Sequence, residues 1–374
     1  MLAPYTSSLD SAIISFVNKS RVSLPRILAF CFCAFLAVAP VRAQSATSAR
    51  TLLVPGPKPA DAPLAWKQLV GIYTREDTKE TFTLLERQHR ILWRDSRNRS
   101  EEIPEKDGTL WLNIGGGRSV GLTELRGANG IVTELSYLNE VYTRADAGAD
   151  PAHFYHVTPT KSLEELRDAA LAAKPPEEPG NFRKPDLVEL ITLDPSIHLD
   201  IRYAHDDNFL GTPLYTQARA FLQRPAAEAL LRVLHKLQPL GYGLLIHDGY
   251  RPWYITKVFW DATPPEGHDF VADPKKGSKH NRGCAVDLTL YDLATGKEIE
   301  MPGLYDEMSP RSYPTFPGGT SLQRWNRELL RRAMESEGFT VNEYEWWHFD
   351  YKDWKLYPLL NVPFEKLREK AITN

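Results

Sequence analysis

Between Trp66 and Tyr142 the apolar and polar positions alternate in short runs. "ETFTLLE", "HRILWRD", "GTLWLNI" and "GIVTELSYL" are rich in β-branched and aromatic residues and are parted by Gly, Asn and Asp. A period of two predicts short strands joined by tight turns. "GGG" at Gly115 to Gly117 is followed by neither a helical pattern nor a Lys-Ser/Thr pair, so it reads as a hairpin turn rather than a phosphate loop. Further along, the period changes. "KSLEELRDAALAA" predicts a helix with Ser162 and Glu165 at capping-box spacing. "KPPEEPG" stops it, because consecutive prolines cannot continue a helix. "RPAAEALLRVLHKL" predicts a second helix, entered through Pro225, with Leu230, Leu231, Leu234 and Leu237 on one face. "LQRWNRELLRRAMESEGF" predicts a third, closed by Gly338. "YGLLIHDGYRP" reads as a buried strand ending at Asp248-Gly249, "AVDLTL" as another, and "YEWWHFDY" (Tyr344 to Tyr351) as an aromatic strand.

These patterns divide the chain. A β-rich domain is expected over 50–146, a helical and Pro-rich linker over 147–190, and an α+β domain over 191–374, built on a small antiparallel sheet flanked by helices. The β-rich part holds no cluster of catalytic residue types, so its role stays unassigned. Before it, Lys19, Arg21 and Arg26 precede the apolar run "ILAFCFCAFLAVA", and Val41 and Ala43 stand before Gln44. That layout predicts a secretory signal peptide over 1–43, an apolar run too short for a stable span, and an exported, periplasmic protein. Cleavage would remove Cys31 and Cys33 and leave Cys284 alone, so no internal disulfide could support the fold. A net charge of -3 offers no basic surplus for nucleic acid.

Reactive groups gather in three stretches: "DGYRP" at 248–252, "SKHNRGCAVD" at 278–287 and "EWWH" at 345–348. His280, Asp287 and His348 supply two imidazoles and a carboxylate, a donor set that suits a catalytic zinc with one position left for water. Gly283 allows the chain to turn between the first two. Glu345, three residues before His348, is placed to move a proton to and from a reacting water. Taken singly, each residue has an ordinary reading as a capping, core or surface group. His268 and Asp273 are the nearest rival ligands; His205 and His247 read as structural or solvated. The Cys284 thiol lies close enough in sequence to raise the question of metal binding, yet reads better as a small buried residue. Arg251 reads equally as a carboxylate clamp and as a structural ion-pair residue.

"SKHNRGCAVDLTL" resembles the SxHxxGxAxD motif of zinc D-Ala-D-Ala peptidases, and "EWWH" resembles their ExxH. The region from about 190 to 365 resembles D-alanyl-D-alanine dipeptidases of the vancomycin-resistance type. "LDIRYAHDDNFLG" and "EGFTVNEYEWWHFDY" extend the likeness. One departure is Cys284, where relatives often carry Ser. The resemblance implies that His280, Asp287 and His348 bind one zinc ion and that Glu345 is the general base and acid. It implies further that Arg251 stabilises the developing oxyanion. Tyr203, Ser278 and Asp306 would gather the free ammonium end of a small D,D-dipeptide. Two other functions stay open at this point. One is a D,D-carboxypeptidase trimming longer wall peptides; the other is a non-catalytic module that binds wall peptides. The oligomeric state is not written in the sequence.

Overall fold

The computed structural model describes residues 53–145 and 156–367. The expected signal peptide lies outside the described residues, as do 146–155 at the start of the linker. No helix among the described residues is long and apolar enough to cross a membrane.

In the first half, ten strands follow one another: β1 (Gly71–Thr74), β2 (Thr81–Glu86), β3 (Ile91–Asp95), β4 (Ser100–Glu102), β5 (Glu105–Lys106), β6 (Thr109–Gly115), β7 (Arg118–Gly121), β8 (Thr123–Arg126), β9 (Val132–Tyr137) and β10 (Glu140–Arg144). Seven of them form an antiparallel sheet in the order β4-β3-β2-β1-β10-β9-β8, and β5, β6 and β7 form a smaller one. Alternation works as expected: Tyr73, Phe82, Leu84, Leu135 and Tyr142 are buried and share one apolar core. Gly115, Gly116 and Gly117 all hold positive φ at the β6–β7 hairpin, a conformation that glycine adopts without strain.

The second half carries helices α1 (Leu163–Ala172), α2 (Arg224–Leu237), α3 (Trp253–Ala262) and α4 (Ser321–Glu335). The capping box of α1 forms as its spacing predicts: Ser162 receives the Glu165 N–H, and the Glu165 carboxylate receives that of Ser162. On α2 the buried face is Leu230, Val233, Leu234 and Leu237, while Leu231 is only partly buried. Its strands are β11 (Leu187–Glu189), β12 (His198–Leu199), β13 (Phe221–Gln223), β14 (Tyr242–Asp248), β15 (Ala285–Asp292), β16 (Phe339–Val341) and β17 (His348–Tyr351). Five of these form the central sheet in the order β12-β14-β15-β17-β16. Two expectations change here. The sheet is not wholly antiparallel, because the edge strand β12 pairs with β14 in parallel. The aromatic strand is also shorter than Tyr344 to Tyr351: β17 begins at His348, and Glu345 to Trp347 form the turn that delivers it. The mixed α+β class stands.

β15 is buried along nearly its whole length, because α2 and α4 pack on the sheet and on each other. A polar residue on such a strand is costly unless something pairs with it. Asp287 is such a residue.

Candidate active site

Strand register makes the site. Asp287 on β15 pairs across to Asp248 on β14 and to His348 on β17, so three reactive side chains form one row across neighbouring strands. His280 joins the row from a turn of 3₁₀ helix, His280–Arg282, which ends at Gly283 with φ +67°. A Cβ on Gly283 would lie 2.4 Å from Leu187 Cδ2; both the left-handed backbone and the close packing require glycine. His280 Nε2, His348 Nδ1 and an Asp287 oxygen lie within 4.8 Å of one another, and all three residues are buried.

These three residues fit a tetrahedral divalent ion. Asp287 Oδ1 stands 3.3 Å from His280 Nε2 and 3.0 Å from His348 Nδ1, and the two ring nitrogens are 3.0 Å apart. Ligand atoms at zinc distances are about 3.3 Å from each other in a tetrahedron. The far side of each ring is already engaged. His280 Nδ1 is 2.7 Å from the Gly249 carbonyl, and His348 Nε2 is 2.9 Å from Asp350 Oδ1. Donation to those acceptors leaves both lone pairs facing inward, the arrangement that metal-binding histidines use. Asp287 Oδ1 is buried without a hydrogen-bond partner. The electrostatics favour a cation at this point as well. Burial works against charge on Asp287, but the two imidazoles outweigh it and hold its carboxyl well below the usual range. Burial likewise opposes charge on His348, yet Asp287 and Asp350 raise it well above an ordinary histidine.

All eight residues singled out in the sequence line one cavity of about 220 Å³. That is below the roughly 300–1,000 Å³ of drug-sized sites and suits a small substrate. Glu345 Oε2 is 3.6 Å from His348 Nδ1 and receives a hydrogen bond from Asn342 Nδ2 at 3.1 Å. Burial pushes its carboxyl up to about 7, with His348 opposing and Asp287 and Asp306 reinforcing. Arg251 is buried between rings, its guanidinium carbon 4.7 Å from the Phe259 centroid and 5.3 Å from that of Tyr203. Asp248 fixes it through Oδ2, at 2.9 Å from Nε and 2.7 Å from Nη2. Also on the cavity wall, the Tyr203 hydroxyl donates to Asp306 Oδ2 at 2.7 Å. Burial pushes Asp306 up to about 7 despite that hydrogen bond. Ser278 is buried; its hydroxyl receives the His280 N–H at 3.2 Å, and its own N–H donates to Asn281 Oδ1 at 2.8 Å.

A family model described as D-ala-D-ala dipeptidase matches residues 183–366. Among curated proteins, the D-alanyl-D-alanine dipeptidase of Escherichia coli K12 is 37% identical over 179 residues, which is 48% of this chain and 91% of that protein. Those of Enterococcus faecalis and Streptomyces coelicolor are 36% and 35% identical, covering 43% and 42% of this chain and 90% and 87% of their own length. This chain belongs to the D-Ala-D-Ala dipeptidase family. The family match begins at residue 183, so the β-rich half lies outside it.

Within this dipeptidase-family domain the rival ligands stand apart. His268 stacks on Trp260 and its Nε2 lies 2.9 Å from the Thr263 carbonyl, while Asp273 Oδ1 accepts from Lys275 N at 2.9 Å. His205 is exposed. His247 is buried and stacks on Tyr305. Cys284 is fully buried, and burial pushes its thiol up to about 12. Among the described residues only His280, Asp287 and His348 converge as a ligand set. Several supporting residues were not singled out from sequence. Asp248 holds Arg251, Asp350 orients His348, and Asn342 holds Glu345. The Tyr305 hydroxyl donates to the other oxygen of Asp287 at 3.3 Å. Asp248 sits in a stretch that the sequence had flagged; Asp350, Asn342 and Tyr305 act through packing that no local spacing displays.

Proposed function

We propose that this chain is a zinc-dependent dipeptidase that hydrolyses the peptide bond of D-alanyl-D-alanine. The carrying observation is that a metal-type donor set, a partly buried carboxylate and a second acid with its tyrosine line one small cavity. His280, Asp287 and His348 would hold the ion. Bound there, zinc would supply Lewis acidity towards a carbonyl oxygen and lower the pKa of water to about 7. Glu345, beside the ligand set, takes the proton of the attacking water and passes it to the leaving amine. Arg251, planar and always charged, faces the charge that develops on the carbonyl oxygen. Asp248 and the flanking rings keep it from reorienting. Asp306, with Tyr203 and Ser278, receives the free ammonium end of the dipeptide. In this reading Asp306 closes the cavity against longer peptides, since an acylated nitrogen offers it no charge.

The leader-like segment supports an exported, periplasmic location. There the substrate would be dipeptide released in cell-wall turnover, and recovery of amino acids is the natural role. A panel of dipeptides tests the reading. Free D-Ala-D-Ala should be cleaved, whereas its N-acetylated form and L-Ala-L-Ala should be poor substrates. Preference for the N-acetylated form would replace this reading with a D,D-carboxypeptidase acting on longer wall peptides. Failure to cleave any of them with zinc bound would leave only a binding module.

A further inference from the structure

The β-rich half, which the family match does not reach, grips the loop that carries Asp306. Residues 301–320 run from the turn after Glu300 to Thr320, the N-cap of α4. The two ends of this loop meet: a Cβ on Gly319 would lie 3.3 Å from Pro302 Cβ. Arg311 Nε pinches the loop again by donating to the Pro302 carbonyl at 2.9 Å. Asp306 and Met308 enter the cavity wall, and the Ser312 carbonyl accepts from Trp346 N, beside Glu345, at 2.8 Å. Asp306 holds φ at +56°, a conformation that a non-glycine residue keeps when its surroundings impose it.

The β-rich half supplies anchors at both ends. Where the loop returns, Glu86 at the end of β2 donates its N–H to the Gly319 carbonyl at 3.1 Å. Glu86 is only 1% exposed, and its carboxylate accepts from Ser321 N at 2.5 Å and His89 N at 2.6 Å. A negative group at the first turn of α4 also matches the helix dipole. Arg324 ties the same point from the other side, donating to the Glu86 carbonyl at 2.6 Å and to the Gly319 carbonyl at 2.8 Å. Where the loop departs, Lys67 pairs with Glu300 at 3.0 Å. That pair is exposed on the Glu300 side and contributes little; the buried Glu86 anchor is the stronger.

We propose that the β-rich half is a clamp for substrate selection, acting through Glu86 on loop 301–320 so that Asp306 meets the ammonium end of the dipeptide. The proposal rests on the reading of Asp306 given above. Glu86 touches no substrate and is a positioning residue. The test uses the full chain loaded with zinc, comparing wild type with Glu86→Ala, Glu86→Gln and Ser321→Pro. Ser321→Pro removes the N–H that Glu86 receives, together with the hydroxyl that accepts from Gln88 N. Proline suits the first residue of a helix, and Thr320 already has the extended backbone that precedes it.

For Glu86→Ala and Ser321→Pro, KM for free D-Ala-D-Ala should rise about tenfold or more, with kcat within about twofold of wild type and zinc content unchanged. The preference for free over N-acetylated dipeptide should shrink by the same factor. Glu86→Gln keeps an acceptor oxygen and should recover part of the loss. If Glu86→Ala does not fold, Ser321→Pro decides. A wild type that already lacks preference for the free amino end defeats the Asp306 reading, and the clamp with it. A wild type that shows the preference, beside folded variants that keep it and keep KM, overturns the clamp alone.

Discussion

Two of the three candidate ligands stand on sheet rungs: Asp287 faces Asp248 and His348 on paired strands. Asp306, in contrast, stands on a loop, with a left-handed backbone, held by Tyr203. Hydrogen-bonded strands fix side chains more tightly than a loop does, and a metal ligand set tolerates little misplacement; Glu345 and Arg251 stand off the strands and are held by Asn342 and Asp248. Recognition of an ammonium group tolerates more, and a loop can be altered without disturbing the sheet. The ligand set and the substrate-choosing acid thus have largely separate supports. They meet where the loop touches the turn carrying Glu345, where Tyr305 of the loop donates to Asp287, and where the Tyr203 ring lies against Arg251.

That separation can be broken from either side. The largest effect is expected at Glu345: Glu345→Gln should lower kcat about 10²–10⁴-fold, with zinc content and KM little changed. Undiminished turnover would contradict the catalytic scheme. Arg251→Ala should lower kcat about 10²–10³-fold, and a loss below about threefold would remove it from the mechanism. This variant also leaves Asp248 buried without its cation, so a lower melting temperature should accompany the loss. The smallest effect belongs to the loop end and appears in pH. Because the Asp306 carboxyl is raised to about 7, it is protonated below that value and charged above it. KM for free D-Ala-D-Ala should therefore fall, by up to about tenfold per pH unit, as pH rises towards 7 and then level off. The N-acetylated dipeptide should lack that limb. An identical limb for both substrates would remove Asp306 from recognition of the amino end.

The metal end was legible in the sequence because His280, Gly283 and Asp287 sit close together and Glu345 and His348 are three apart. Such spacing reports a turn and its chemistry directly. The residues alone left Arg251 as a clamp or an ion-pair residue, and only the family likeness gave it the oxyanion role; in the structure it is paired with Asp248, its neighbour in sequence and in space. Asp350, Asn342 and Tyr305 could not be read, since each acts through a contact made only after strands and loops assemble. The parallel edge strand β12 is two residues long and carries too little pattern to show its direction. Leu231 fell on the predicted apolar face of α2, but Val233 is the more buried of the two; how far a buried stripe wraps depends on its neighbours. The docking of Glu86 on α4 joins residues more than two hundred positions apart, beyond any periodicity.

The measurement closest to the centre of this account is metal content. Wild-type protein prepared with zinc should retain one ion per chain, and His348→Ala and Asp287→Ala should each lose it along with hydrolysis of D-Ala-D-Ala. Full zinc occupancy in His348→Ala and Asp287→Ala, or activity in a protein stripped of metal, would contradict it.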